Sequence, residues 1–198
     1  MMKRHLVVMV KAPRIGQVKT RLGREIGYLK AWGAYRRMLG DILRLLARDE
    51  RWITSLAVTP DAAHTKRRLW PLQTQRLAQG SGDLGKRMGR VMDVMPPGPV
   101  VIIGADIPGI QPHHIWSAFT ALGKNDAVFG PAEDGGYWLV GLRRRPIIKN
   151  IFKSIRWSTA YALADTRRNL PDRWQVALLG VLMDVDDSRT FKLLRKQR

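Results

Sequence analysis

Asp106 stands in GADIPG (residues 104–109), directly after the most apolar run of the chain, VVIIG at 100–104. A carboxylate at the carboxyl end of a buried strand needs its charge compensated. A hard cation such as Mg²⁺ does this with one or two protein carboxylates, keeping its other positions for phosphate oxygens and water. The alternative is that Asp106 caps the next turn. A second acidic group, MDVDD at 183–187, sets Asp184 and Asp186 on one side of an extended chain, because side chains alternate with period two. Either could reach a cation held by Asp106; equally, the group could cap a following helix.

Three further segments carry charge or glycine in patterns suited to an anionic ligand. KAPRIGQVKTRLG (11–23) sets Lys11, Arg14, Lys19 and Arg21 among Pro13, Gly16 and Gly23, a loop able to turn several cations and backbone N–H groups toward one polyphosphate. It lacks the Gly-Lys-Ser/Thr ending of a Walker A loop. In QGSGDLGKRMG (79–89), Gly80, Gly82 and Gly85 allow close backbone approach, and Asp83 can cap a helix or meet a ribose. Arg87, one turn on, could contact phosphate or pair with Asp83. In GPAEDGGYWLVG (130–141), Glu133 and Asp134 precede Gly135-Gly136, which leave room against a ligand, and Tyr137 and Trp138 can wall a pocket. Asp134 is the candidate general base by location. His5, His64, His113 and His114 have no supporting constellation.

The elements that must position these segments alternate in period. Residues 5–10, 53–59, 76–79, 100–104, 127–130 and 137–142 read as strands, and 176–185 contains another. Helical spacing covers 24–48, 84–95 capped by Asp83, 112–122, and 158–169 capped by Ser158; Asp61 caps a short helix after Pro60, and a terminal helix begins near Asp187. Strands separated by crossover helices predict an α/β fold, a single three-layer α/β/α sandwich over residues 1–198 with a mostly parallel central sheet. In such sheets ligands bind outside the carboxyl ends of the strands, where the topology switches.

Composition bounds the alternatives. The chain has 198 residues, 45% hydrophobic and 26% charged, with 35 Lys+Arg against 16 Asp+Glu for a net charge of +19. At that length roughly 70% of the unfolded surface is buried on folding, enough for an ordinary core. The absence of cysteine excludes disulfides, zinc-thiolate sites and a cysteine nucleophile. The basic start MMKRHLVVMVKAPR has too short an apolar run for a secretory signal and reads as a first strand, so a cytoplasmic protein without a membrane span is expected. The charge attracts anions of any kind. Short clusters at Lys66-Arg67-Arg68, Arg143-Arg144-Arg145 and Arg195-Lys196 read as solvated surface. There is no zinc-finger spacing, aromatic RNA-binding run or helix-turn-helix to favour nucleic acid. A nonenzymatic basic module for RNA or an anionic membrane is the competing reading.

Taken together and in order, KAPRIGQVKTRLG, QGSGDLGKRM, GADIP, GPAEDGGYWLVGL and DVDD make the sequence resemble a bacterial group of small GT-A-like proteins, DUF2064, also described as rSAM/selenodomain-associated transferase 1. The resemblance implies a nucleotide-diphospho-sugar transferase fold, related to the molybdenum-cofactor and phospholactate guanylyltransferases. By that resemblance Asp106 and Asp186 are the Mg²⁺ or Mn²⁺ ligands, with Asp184 a nearby alternative. Lys11, Arg14, Lys19 and Arg21 serve the donor phosphates, Gly80, Gly82, Asp83 and Arg87 the nucleoside, and Asp134, Gly135, Gly136, Tyr137 and Trp138 the acceptor. Asp106, Lys19 and Asp134 are the expected catalytic set. The sequence departs from the pattern at Asp187-Ser188-Arg189-Thr190, where relatives read Thr-Pro-Glu-Asp. The expectation is a metal-dependent transferase, nucleotidyl or glycosyl, taking a nucleotide or nucleotide-sugar donor and a small-molecule acceptor; base, sugar and oligomeric state stay open.

Overall fold

A computed structural model describes residues 2–66, 69–70, 74–144, 150–183 and 191. Arg67, Arg68, Arg145, Asp184, Asp186, Arg195 and Lys196, with all of the expected terminal helix from Asp187 except Phe191, lie outside the described residues.

Seven strands form one sheet. They are β1 (His5–Lys11), β2 (Ile53–Thr59), β3 (Gln75–Ala78), β4 (Val100–Ile103), β5 (Ala127–Pro131), β6 (Tyr137–Leu142) and β7 (Val176–Leu178), in the spatial order β3-β2-β1-β4-β6-β5-β7. All neighbouring pairs are parallel except those made by β6, which runs against β4 and β5. The five residues between β5 and β6 are too few for a crossover helix, so the chain turns straight back. The order reverses between β1 and β4, and this opens a crevice beyond their carboxyl ends.

All strands but the edge strands β3 and β7 are buried on both faces. Leu6, Val8 and Val10 of β1 point to one side and Val7 to the other. On the first side lie α2 (Tyr28–Leu46), through Tyr35, Leu39, Ile42 and Leu46, and α4 (Pro112–Ala121), through Ile115 and Phe119. On the second lie α3 (Leu84–Val94), through Met88, Val91 and Met92, and Leu163 of α5 (Ala162–Arg168). The three-layer α/β/α sandwich with a mostly parallel sheet is thus present.

Several boundaries differ from the sequence expectation. The helix expected over 24–48 is two helices, α1 (Thr20–Ile26) and α2, broken at Gly27, where φ is +90°. Arg21 and Gly23 therefore belong to a helix and not to the basic loop. Asp61 does not cap the short 3₁₀ turn Asp61–Ala63; its carboxylate accepts the Gly80 N–H at 2.9 Å. The expected cap Ser158 sits in a turn at φ +60°, and α5 starts only at Ala162. Asp83 does cap α3, accepting the Lys86 N–H at 2.7 Å.

Among the described residues, no helix is long and apolar enough to cross a membrane.

Candidate active site

Beyond the carboxyl ends of β1 and β4 lies a cleft of about 550 Å³. One wall comes from the segment after β1, with Lys11, Gln17, Lys19, Thr20 and Arg21. The floor comes from the β4 exit, Gly104 to Ile107. The opposite wall comes from the start of β6 and from Trp157, Ser158 and Thr159; Leu84 and Met88 of α3 close one side.

The basic wall is set by aromatic side chains of α2. The Lys11 backbone N–H donates to the Tyr35 hydroxyl at 3.0 Å, and that hydroxyl donates to the Lys11 carbonyl at 2.8 Å. Burial pushes the Tyr35 hydroxyl well above its ordinary pKa; the bond to Lys11 lowers it and the nearby Asp106 charge raises it. It therefore stays protonated and serves both bonds. Two residues on, the Trp32 indole donates to the Pro13 carbonyl at 2.9 Å. Lys19 ends the loop in the left-handed region, at φ 47° and ψ 50°, uncommon for a residue with a Cβ. From there its ammonium lies 2.6 Å from Asp106 Oδ2; the lysine side chain is 6% exposed and the aspartate 33%.

The acidic floor is close-built. Asp106 Oδ1 lies 2.8 Å from the point where a Cβ on Gly104 would stand, so glycine there makes room for the carboxylate. Among the described residues, no group of three or more His, Asp or Glu side chains gathers in a metal-binding arrangement. One carboxylate beside a cationic wall is nonetheless a donor set that suits Mg²⁺ or Mn²⁺ arriving with phosphate oxygens.

On the far wall Asp134 accepts the Gly136 N–H at 2.9 Å, which folds the hairpin between β5 and β6 over the cleft. Gly130 lies under the Trp138 ring, where any Cβ would collide with the indole. Gly135, at φ +83°, packs on the Ala160 backbone with no space for a side chain. Tyr137 stacks edge-on between Phe129 and Trp157, with centroids at 5.5 and 6.3 Å. Its hydroxyl lies 3.3 Å from that of Thr166 and is pushed well above its ordinary pKa, chiefly by burial. Trp138 is 4% exposed and donates to the Gly180 carbonyl at 3.1 Å, so it is mainly a structural wall.

The cleft thus gathers Lys11, Lys19, Arg21, Asp106, Asp134, Gly136, Tyr137 and Trp138. Arg14, Gly80, Gly82, Asp83, Arg87 and Gly135 are not on its lining. The glycine loop before α3 instead spends its polar groups on itself. Arg87 donates to the Gly82 carbonyl at 2.9 Å, and Arg90 donates to the carbonyls of Gln79 and Ser81. The Gln79 side-chain amide ties the loop to the sheet, donating to the carbonyls of Val10 and Ala57 at 3.1 and 2.7 Å. Sequence reasoning missed Gln17, Leu84, Met88, Trp157 and Thr159, and gave Ser158 another role. Trp157 follows Arg156, whose guanidinium grips Asp165 of α5 at 2.7 and 2.8 Å, but nothing in the local sequence marks that clamp.

A basic wall thus faces an aspartate at the switch point of a mostly parallel sheet, and comparison with known proteins shows the fold to be that of the nucleotide-diphospho-sugar transferases. Residues 42–159 match the family described as "Uncharacterized protein conserved in bacteria (DUF2064)", and the chain belongs to that family. A protein from Desulfovibrio desulfuricans G20, named provisionally a nucleotide-diphospho-sugar transferase, is 34% identical over 94% of this chain and 84% of its own, with a TM-score of 0.84. Two more distant structures share the fold. The 4-diphosphocytidyl-2C-methyl-D-erythritol synthase of Anaerococcus prevotii DSM 20548 is 11% identical over 99% and 97% of the two chains, with a TM-score of 0.63. The manganese complex of Rv0371c from Mycobacterium tuberculosis H37Rv is 17% identical over 100% of both, with a TM-score of 0.57. No curated protein matches the chain.

Proposed function

We propose that residues 1–198 form one transferase domain whose cleft binds a nucleotide-linked donor and transfers part of it to a small-molecule acceptor. The observation that carries this reading is the facing of Lys11, Lys19 and Arg21 by Asp106 across the switch point. Three cations hold the donor phosphates and offset the negative charge that grows on the leaving group, from a loop whose backbone is held before the ligand arrives. Asp106 would hold Mg²⁺ or Mn²⁺, with Asp186 or Asp184 as second ligand; the ion would neutralise phosphate charge and orient the leaving oxygen. Arg14, exposed in the basic loop, adds to the field that draws the donor in.

The loop of Gly80, Gly82, Asp83 and Arg87 frames the nucleoside side and presents Leu84 and Met88 to it. The segment of Asp134, Gly135, Gly136, Tyr137 and Trp138 takes the acceptor, with the Asp134 carboxylate accepting the proton of the attacking hydroxyl or phosphate. Catalysis in such a cleft is mainly positioning and electrostatics. In nucleotidyl transfer an acceptor oxygen attacks the α-phosphorus and pyrophosphate leaves; in glycosyl transfer it attacks the anomeric carbon and a nucleoside diphosphate leaves.

The test is a panel of nucleoside triphosphates and nucleotide sugars, with and without Mg²⁺ or Mn²⁺, read by released pyrophosphate or nucleoside diphosphate. Metal-dependent donor binding that Asp106→Ala abolishes is expected. Binding of RNA or anionic vesicles that falls steeply with salt and survives Asp106→Ala, with no donor bound, would replace this reading by the basic-module one.

A further inference from the structure

The Lys19 ammonium touches the carboxylate that the proposed function gives to the metal, and the contact is well enclosed. It is 2.6 Å long, with the lysine side chain 6% exposed. The backbone conformation that aims it, φ 47°, is one that side-chain-bearing residues seldom adopt. The Lys19 carbonyl meanwhile accepts the Gly23 N–H at 2.8 Å, tying that conformation to the first turn of α1. An ammonium and a divalent ion on the same carboxylate oxygen repel each other. A divalent ion bound there at roughly 2.0–2.6 Å would stand almost in contact with the ammonium, and their repulsion would be poorly screened in a half-closed cleft.

From this geometry we infer that Lys19 is a latch: in the donor-free protein its ammonium occupies the cation side of Asp106, and donor phosphate draws it off. The inference rests on the transferase reading and deepens it. A phosphate between Lys11, Lys19 and Arg21 gives the ammonium a new anionic partner, and Asp106 is then released to take the metal. Anion binding and cation binding are coupled through one side chain, so each strengthens the other. The protein alone binds divalent cations weakly and loads its metal together with the donor.

Mn²⁺ binding to the donor-free protein, followed by the paramagnetic resonance signal of free Mn²⁺, tests this. The variants are Lys19→Met, Lys11→Met, Asp106→Asn and the double variant Lys19→Met/Asp106→Asn. Lys11→Met removes the same charge from the same cleft without freeing Asp106. Lys19→Met should bind Mn²⁺ at least tenfold more tightly than Lys11→Met, and adding Asp106→Asn should abolish the gain. A gain below tenfold overturns the latch. If Asp106→Asn also leaves the weaker binding of the parent protein unchanged, the assignment of metal to Asp106 falls as well; if it abolishes that binding, the metal site stands and only the latch is lost. Should Lys19→Met fail to fold, Lys19→Gly, at home in the left-handed region, replaces it under the same criterion.

Discussion

Two glycine-punctuated, basic loops leave parallel strands on either side of β2 at the same edge of the sheet, and they use their charges in opposite ways. The loop after β1 has its backbone held from behind by Tyr35 and Trp32, so the side chains of Lys11 and Lys19 are turned to the cleft. The loop after β3 is held differently: the Asp61 carboxylate takes the Gly80 N–H, Arg87 and Arg90 of α3 reach back to loop carbonyls, and Asp83 caps the helix start. In the first loop the backbone's hydrogen bonds are met by α2, which leaves the charged side chains to the cleft.

The largest effect that could break this contrast concerns the cations themselves. Lys11→Met and Arg21→Met should each weaken donor binding about tenfold, the usual worth of a charge-assisted contact. Arg87→Met should change it less than about twofold by the same scale. Titration calorimetry with the best donor of the panel decides it, and equal losses for Arg21 and Arg87 would erase the distinction. Next comes the backing: Tyr35→Phe removes the hydroxyl that pairs the Lys11 N–H and carbonyl, and should cost about 1 kcal/mol in urea unfolding as well as weakening donor binding. In the other loop, Asp83→Ala should cost about 1 kcal/mol, the typical worth of a helix cap, with donor affinity unchanged.

The smallest effect sharpens the comparison by adding a third rim segment. The Arg156 guanidinium beside Asp165 holds its carboxyl down to about 2, from an ordinary 3.8. The native state therefore binds fewer protons than the unfolded chain below that ordinary value. The clamp's contribution is full above about pH 4 and is lost as the pH falls toward 2. Thermal midpoints between pH 5 and 2 should fall less steeply in Asp165→Asn than in the parent protein.

Much of the sheet was legible because its strands are buried on both sides and read as continuous apolar runs, as in LVVMV and VVII. The break between α1 and α2 was not, since the helical spacing continues through Gly27 and only its backbone angle stops the helix. Asp106 and the basic loop were legible as chemistry because they directly follow such runs. Trp157 and Ser158 were missed because tertiary contacts bring them in: the Arg156–Asp165 clamp and the packing of Trp157 on Tyr137. The direction of β6 was within reach of the sequence, since five residues cannot carry a crossover.

The reversed strand carries a consequence for how such a scaffold diversifies. Because β6 runs opposite to its neighbours, the tip of a short hairpin overhangs the reaction chamber, where elsewhere along that rim the joints lead into packed helices. Glu133 and Asp134 at this tip are exposed while Gly135 is wedged on Ala160, so under the proposed function substitutions of the exposed pair would change what is modified while leaving the grip on the activated half untouched.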